Sequence, residues 1–206
     1  MPKGLLIVLD GVDGSGKGTM VKEAHKFLLK KGVPKSRILT AAEPTHGYFG
    51  KKVRELLDTQ IDPKLNARQF LDLYVADRKE HLEKEIAPAL AVGKIILCDR
   101  FKYSTFVYQQ LQGIPVEKIR ALHLGMPKPD LVFILDLPVE HALKRIERRK
   151  KKEVFERKAF MEKVRFGFLG LQKTFPSEEI VFIDASRGVR EVSKDICVAL
   201  AAKLGV

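Results

Sequence analysis

Seven residues, Gly11-Val12-Asp13-Gly14-Ser15-Gly16-Lys17, place three glycines and one lysine directly after an aliphatic run and directly before a helical pattern. Glycines in this setting let successive backbone N–H groups turn inward, and the following helix N-terminus adds a partial positive charge. Lys17 contributes a point charge. The segment Gly11, Val12, Asp13, Gly14, Ser15, Gly16, Lys17, Gly18 and Thr19 is therefore expected to cradle phosphate oxygens of a nucleotide, with Lys17 facing solvent when no nucleotide is bound. One position departs from the usual pattern. Gly18 stands where a Ser or Thr would ligate Mg²⁺, and Thr19 comes one residue late.

A second set of residues follows downstream. Asp99-Arg100 ends the aliphatic run 95–98, at the carboxyl edge where open parallel sheets bind ligands. There Asp99 could face a metal and Arg100 reach phosphates, against the plainer reading of a surface ion pair. Ser104 and Tyr108 are four apart on one predicted helix, with Gln109 beside them, and Tyr74 and Arg78 are four apart on another. A ring and a forked donor on one helical face suit a flat base with carbonyl groups. Taken singly, Tyr74 would be core and Arg78 a solvated charge.

The elements that must position these residues are legible as patterns. Runs at 5–9, 95–98, 131–135 and 180–183, with a weaker one at 37–40, lack in/out alternation and read as strands buried on both faces. Helical stripes are expected at 17–31, 45–57, 66–92, 102–110, 116–124, 139–149, 155–175 and 189–204, with Pro88 ending or kinking the third. Alternating strands and helices predict an α/β fold, a parallel sheet of five strands with helices on both faces. The 206 residues fit one domain, and 45% hydrophobic content supplies a core. A formal charge of +12 excludes acidic disorder and favours a polyanionic partner. Cys98 and Cys197 lack metal-ligand spacing and read as reduced core thiols of a cytoplasmic protein. No apolar run reaches membrane-span length.

In order along the chain, the phosphate loop, Glu43-Pro44-Thr45, Leu73-Tyr74-Val75-Ala76-Asp77-Arg78, and Asp99-Arg100-Phe101-Lys102-Tyr103-Ser104 through Tyr108-Gln109 resemble the thymidylate kinases. Pro129-Asp130-Leu131, Leu135-Asp136-Leu137-Pro138 and Ala142-Leu143-Lys144-Arg145 continue the resemblance over nearly the whole length. It implies a P-loop nucleotide kinase architecture, phosphorylation of dTMP to dTDP with ATP as donor and Mg²⁺ as cofactor, and a homodimer. By that resemblance Asp13 holds the deoxyribose 3′-hydroxyl, Tyr74 stacks on thymine, and Arg78 hydrogen-bonds its carbonyl. Ser104 and Gln109 flank the base, Tyr108 presses on the sugar, Glu43 belongs to the acceptor site, Arg100 bridges the phosphates, and Arg145 lies against adenine. Relatives often carry Arg before Glu43, where this chain has Ala42, so Arg54 is the candidate for that contact. Gly14 replaces a basic loop residue of one branch. The block Arg148, Arg149, Lys150, Lys151 and Lys152 falls in the segment resembling the family's lid, about 147–156, and Arg149 is the expected source of the missing cation. Three other readings stand beside this one: a kinase for another nucleoside monophosphate, a P-loop regulator without transfer chemistry, and a basic P-loop protein that binds nucleic acid. Scattered basic residues and the absence of an aromatic platform weigh against the last.

Overall fold

The computed structural model describes residues 3–59, 65–147 and 157–205. Five parallel strands, β1 (Leu5–Gly11), β2 (Ile38–Ala42), β3 (Ile95–Asp99), β4 (Leu131–Asp136) and β5 (Ile180–Asp184), form one sheet in the order β2-β3-β1-β4-β5. β1 is central, pairing Leu9 with Asp99 on one side and Gly11 with Leu135 on the other. The chain fills one side of β1 with β2 and β3, then crosses over to β4, so the carboxyl end of β1 lies at the point where strand order reverses.

Burial follows position in the sheet. Ile7, Val8 and Leu9 of β1, Ile96 to Cys98 of β3 and Val132 to Ile134 of β4 are fully buried. β2 and β5 are the edge strands, and both are partly exposed, which corrects the expectation of burial on both faces for every strand. An edge strand has a neighbour on one side only, and loops cover it incompletely.

Helix α1 (Lys17–Lys30) packs on β1, β2 and β3 and against α10 (Val189–Leu204), burying Met20, Val21, Ala24 and Leu28. α5 (Lys102–Leu111) and α8 (Lys158–Leu169) pack on each other and on β1 and β4 respectively. α2 (Tyr48–Thr59) lies against α3 (Ala67–His81). α2 starts later than its apolar pattern suggests because Thr45 is drawn out of the helix. Its N–H and hydroxyl donate to the two carboxylate oxygens of Asp77 on α3 at 2.8 and 2.5 Å.

The long helical stripe is modified ahead of Pro88, not at it. After α3 comes a π-helical turn, Leu82–Ile86, closed by Ala87 N–H donating to Leu82 O, and then α4 (Ala87–Ala91). The wider turn leaves Pro88 in the first turn of α4, where no N–H is needed. α6 (Val116–Leu122) and α7 (Val139–Ile146) are shorter than expected, and Gly170 divides the helix expected at 155–175 into α8 and α9 (Leu171–Thr174). Both thiols are free, with Cys98 buried and Cys197 only partly so, beside Ser193 at 3.8 Å, which corrects the core assignment of the latter.

Candidate active site

The phosphate loop sits between β1 and α1, and its lysine does not face solvent. Lys17 is 7% exposed, and its Nζ donates to the carbonyls of Gly11 and Val12 at 3.1 and 3.0 Å. These two carbonyls hold the side chain inside the loop, which corrects the expectation that it faces solvent. Burial, with the positive charge of Arg100, pulls its pKa down to about 8 against the pull of Asp13, Asp99 and Asp10. The hydroxyl of Ser15 is buried with no hydrogen-bond partner, so the loop presents an unspent polar atom beside Lys17.

Two glycines in the loop fix what can approach it. Gly14 has φ 81°, and a Cβ there would lie 2.8 Å from Ala142 O, so a basic side chain at this position would force α7 aside. A Cβ at Gly18 would sit 3.3 Å from Asp99 Oδ2, so the end of β3 brings its carboxylate directly against the loop. Asp99 thus sets a carboxylate beside the loop, the kind of oxygen ligand a divalent cation takes. No group of three or more His, Cys, Asp or Glu that could hold a metal exists among the described residues. Mg²⁺ fits such a site because it commonly takes one or two carboxylates together with substrate phosphates and waters. On the other side Arg145 donates to Gly14 O at 3.3 Å and to Ala185 O at 3.1 Å, tying α7 to the loop and to the chain after β5.

Beside the loop opens a cavity of about 240 Å³ lined by Asp13, Glu43, Arg54, Tyr74, Arg78, Arg100, Ser104, Tyr108 and Gln109, among others. Every acceptor-site residue expected from the sequence borders it. Arg100 adopts φ 68°, a strained conformation for a side-chain-bearing residue, held by its N–H donating to Leu9 O at 2.9 Å. Its guanidinium pairs with Asp13 and donates to Ser104 Oγ at 2.8 Å. Tyr108 O–H donates to Asp13 Oδ2 at 3.1 Å. Burial and the Asp13 charge push its phenol well above the usual range, so it stays a donor. Arg54 reaches the same cavity and donates to the carbonyls of Thr45, Pro44 and Gly50. Ala42 lines a separate open groove with Gly18 and Asp99.

Two residues that organise the cavity escaped sequence reasoning. Asp10, fully buried at the end of β1, accepts from Gly11 N–H at 2.9 Å, from Ser104 N–H at 3.0 Å and from Ser104 O–H at 2.7 Å. Burial pushes its carboxyl up, and the nearby Arg100 and Lys17 charges with these hydrogen bonds oppose that shift. The signal was an acid ending an otherwise apolar strand. His123, at the end of α6, is the other.

Arg78 is 1% exposed, and nearly all its donors are committed. Nε lies 2.7 Å and Nη2 2.6 Å from Glu43 Oε2, while Nη1 donates to Thr105 Oγ1 at 3.1 Å and meets His123 Nε2 at 2.7 Å. A guanidinium has five N–H donors, so one Nη2 hydrogen is left for the cavity. Both oxygens of Glu43 are occupied, because Oε1 lies 3.1 Å from His81 Nδ1. Glu43 therefore holds Arg78 in place. Burial lowers the pKa of His81, but the hydrogen bond and charge of Glu43, with Glu85 and Asp77, outweigh it and raise the net value. Gln109 is fully buried, its amide nitrogen donating to Gln112 Oε1 at 2.9 Å, and its own Oε1 has no hydrogen-bond partner. Tyr74 stacks on Phe70, centroids 6.4 Å apart. Lys102 and Tyr103, at the start of α5, both bind Glu178 on the far side of that helix. Arg149 and the rest of segment 148–156 lie outside the described residues.

A parallel sheet carrying a glycine-rich phosphate loop after its central strand, with a cavity of charged and aromatic side chains beside that loop, has the architecture of a P-loop nucleotide kinase. The family model for thymidylate kinase matches residues 9–196. A thymidylate kinase of Desulfotalea psychrophila is 38% identical over 195 residues, covering 94% of this chain and 92% of its own. A probable thymidylate kinase of Pyrococcus abyssi is 35% identical over 198 residues, covering 94% of each, and a thymidylate kinase of Brachyspira hyodysenteriae is 38% identical over 196 residues. The chain belongs to the thymidylate kinase family.

Proposed function

We propose that this enzyme transfers the γ-phosphoryl group of ATP to dTMP, giving ADP and dTDP for thymidine triphosphate synthesis. The observation that carries the base assignment is a pair of unspent groups on residues that line the cavity, one Arg78 N–H and the buried Oε1 of Gln109. Thymine offers an acceptor at its 4-carbonyl and a donor at N3–H, which match these two groups. Cytosine presents the reverse pattern and leaves both unpaired. Tyr74 supplies a stacking face, Ser104 closes the cavity beside the base, and Asp13 accepts from the 3′-hydroxyl.

Transfer itself is positioning and charge neutralisation. A phosphate oxygen of dTMP attacks the γ-phosphorus while the bond to the β-phosphate oxygen breaks. Lys17, the loop N–H groups and Ser15 hold the donor phosphates, Arg100 and Arg54 hold the acceptor phosphate, and Arg145 packs against adenine. Mg²⁺ would be held by Asp99 with phosphate and water oxygens, and would neutralise phosphate charge. Gly14 leaves no room for a loop cation, which supports Arg149 as its source from the lid at 147–156.

The acting unit is one kinase domain per chain, paired as a homodimer, as the family resemblance implies. Many surface lysines are matched by acids, including Lys26 with Glu23, Lys84 with Glu80 and Lys203 with Glu179, which speaks against a nucleic-acid partner. No helix among the described residues is long and apolar enough to cross a membrane. The two free thiols agree with action in the cytoplasm. An ADP-release assay across nucleoside monophosphates tests the reading, with dTMP expected first, dUMP second, and dCMP and the purines far behind. AMP or CMP as best acceptor would overturn the base assignment.

A further inference from the structure

We propose that His123 is a positioning residue for base selection: by accepting a hydrogen bond from Nη1 of Arg78 it fixes the guanidinium so that the remaining Nη2 hydrogen serves the base. The inference rests on Arg78 being the base donor.

The geometry leaves His123 one role toward Arg78. Its Nδ1 lies 2.7 Å from Ile119 O, an atom that only accepts, so Nδ1 carries the hydrogen. Nε2 is then the acceptor, and it meets an arginine, which only donates, at 2.7 Å. The ring is 8% exposed, and burial with the Arg78 charge pulls its pKa down to about 4, so it is neutral near pH 7. Thr105 takes the other Nη1 hydrogen and Phe101 lies under the guanidinium, 5.2 Å from its central carbon. Removing the His123 acceptor leaves a buried Nη1 hydrogen unpaired and releases the guanidinium on the side away from the cavity. A guanidinium free to turn no longer holds its Nη2 hydrogen on one base acceptor, so discrimination should relax.

The test uses the full chain with His123→Leu, His123→Gln and Arg78→Ala, measuring KM for dTMP, KM for ATP and the dTMP/dCMP ratio of kcat/KM. His123→Leu should raise KM for dTMP and lower the ratio by about tenfold each, with KM for ATP within about twofold. His123→Gln keeps an acceptor at similar reach and should recover most of the ratio. If His123→Leu does not fold, His123→Phe, which keeps the ring volume without an acceptor, takes its place. An unchanged ratio in the leucine or phenylalanine variant overturns the proposal, as does a glutamine variant no better than it, or an equal rise in both KM values. If Arg78→Ala also keeps the ratio, the base-site reading falls too; if Arg78→Ala loses it while the His123 variants keep it, only this inference falls.

Discussion

Ser104 gives both its backbone N–H and its hydroxyl to the carboxylate of Asp10, 94 positions earlier in the chain. The acid at the end of the central strand thus caps the first turn of α5 from outside the helix, and the same carboxylate holds the first amide of the phosphate loop. The start of α5 and the phosphate loop are therefore registered to each other through one buried side chain.

Asp10→Asn should uncouple them. Its amide would set N–H groups against N–H and O–H donors, and lost charge-assisted hydrogen bonds should cost about 2 kcal/mol. Urea unfolding measures the loss, and a free energy within about 0.5 kcal/mol of wild type would disprove the assignment.

Lys17→Ala should lower turnover by about a thousandfold or more while the unfolding transition remains cooperative. In the wild-type enzyme, burial holds the Lys17 pKa near 8, so the side chain loses its proton as pH rises past about 8. The free enzyme then meets ATP without its lysine charge. kcat/KM for ATP should fall above about pH 8, whereas kcat at saturating ATP should hold to higher pH because bound phosphate favours the charged form. A profile for kcat/KM that stays flat to pH 10 would exclude Lys17 from ATP binding.

Tyr108 borders the cavity with its hydroxyl on Asp13, and the proposed reading sets its ring against the sugar. Tyr108→Ala should narrow the preference for dTMP over its ribose counterpart by about tenfold, and Tyr108→Phe, which keeps the ring, should retain it. Equal preference in all three proteins would remove the steric explanation.

Acid should destabilise the fold through His123. The folded pKa of about 4 lies below the ordinary histidine value of 6.5, so between these limits the unfolded chain binds more protons and stability falls as pH drops. The loss from this one group approaches about 3 kcal/mol and is complete near pH 4. His81, with its pKa raised, works in the opposite sense: its contribution is present below about pH 6.5 and is lost as pH rises through its folded value. Unfolding of wild type and His123→Gln at pH 7 and pH 4 isolates the former, and parallel losses in both would contradict it.

Arg149→Ala should lower kcat more than it raises KM for dTMP, because a cation from the lid would meet charge that develops during transfer. Alanine variants from Arg148 to Lys152 that all keep wild-type kcat would place that cation elsewhere.

The phosphate loop and the inner strands were legible because their signals are local. Leu5 to Leu9 and the glycines after them need no distant partner to declare themselves. Tyr74 with Arg78, and Ser104 with Tyr108, were legible as pairs through helical spacing. What eluded the sequence depends on contacts between remote residues: Asp10 acquires its role from Ser104, and His123 from Arg78, 45 positions away. The burial of Lys17 was missed for a related reason, since its acceptors are the carbonyls of Gly11 and Val12, which only the folded loop brings within reach. The π turn before Pro88 is a compromise between one missing N–H and a helix that continues, and an apolar stripe carries no mark of it.

α5 is fastened from two directions, by Asp10 beneath Ser104 and by Glu178 on Lys102 and Tyr103. A wall pinned in this way has little freedom to yield to a larger ligand. An inhibitor built outward from thymine should therefore lose affinity with each atom directed against α5.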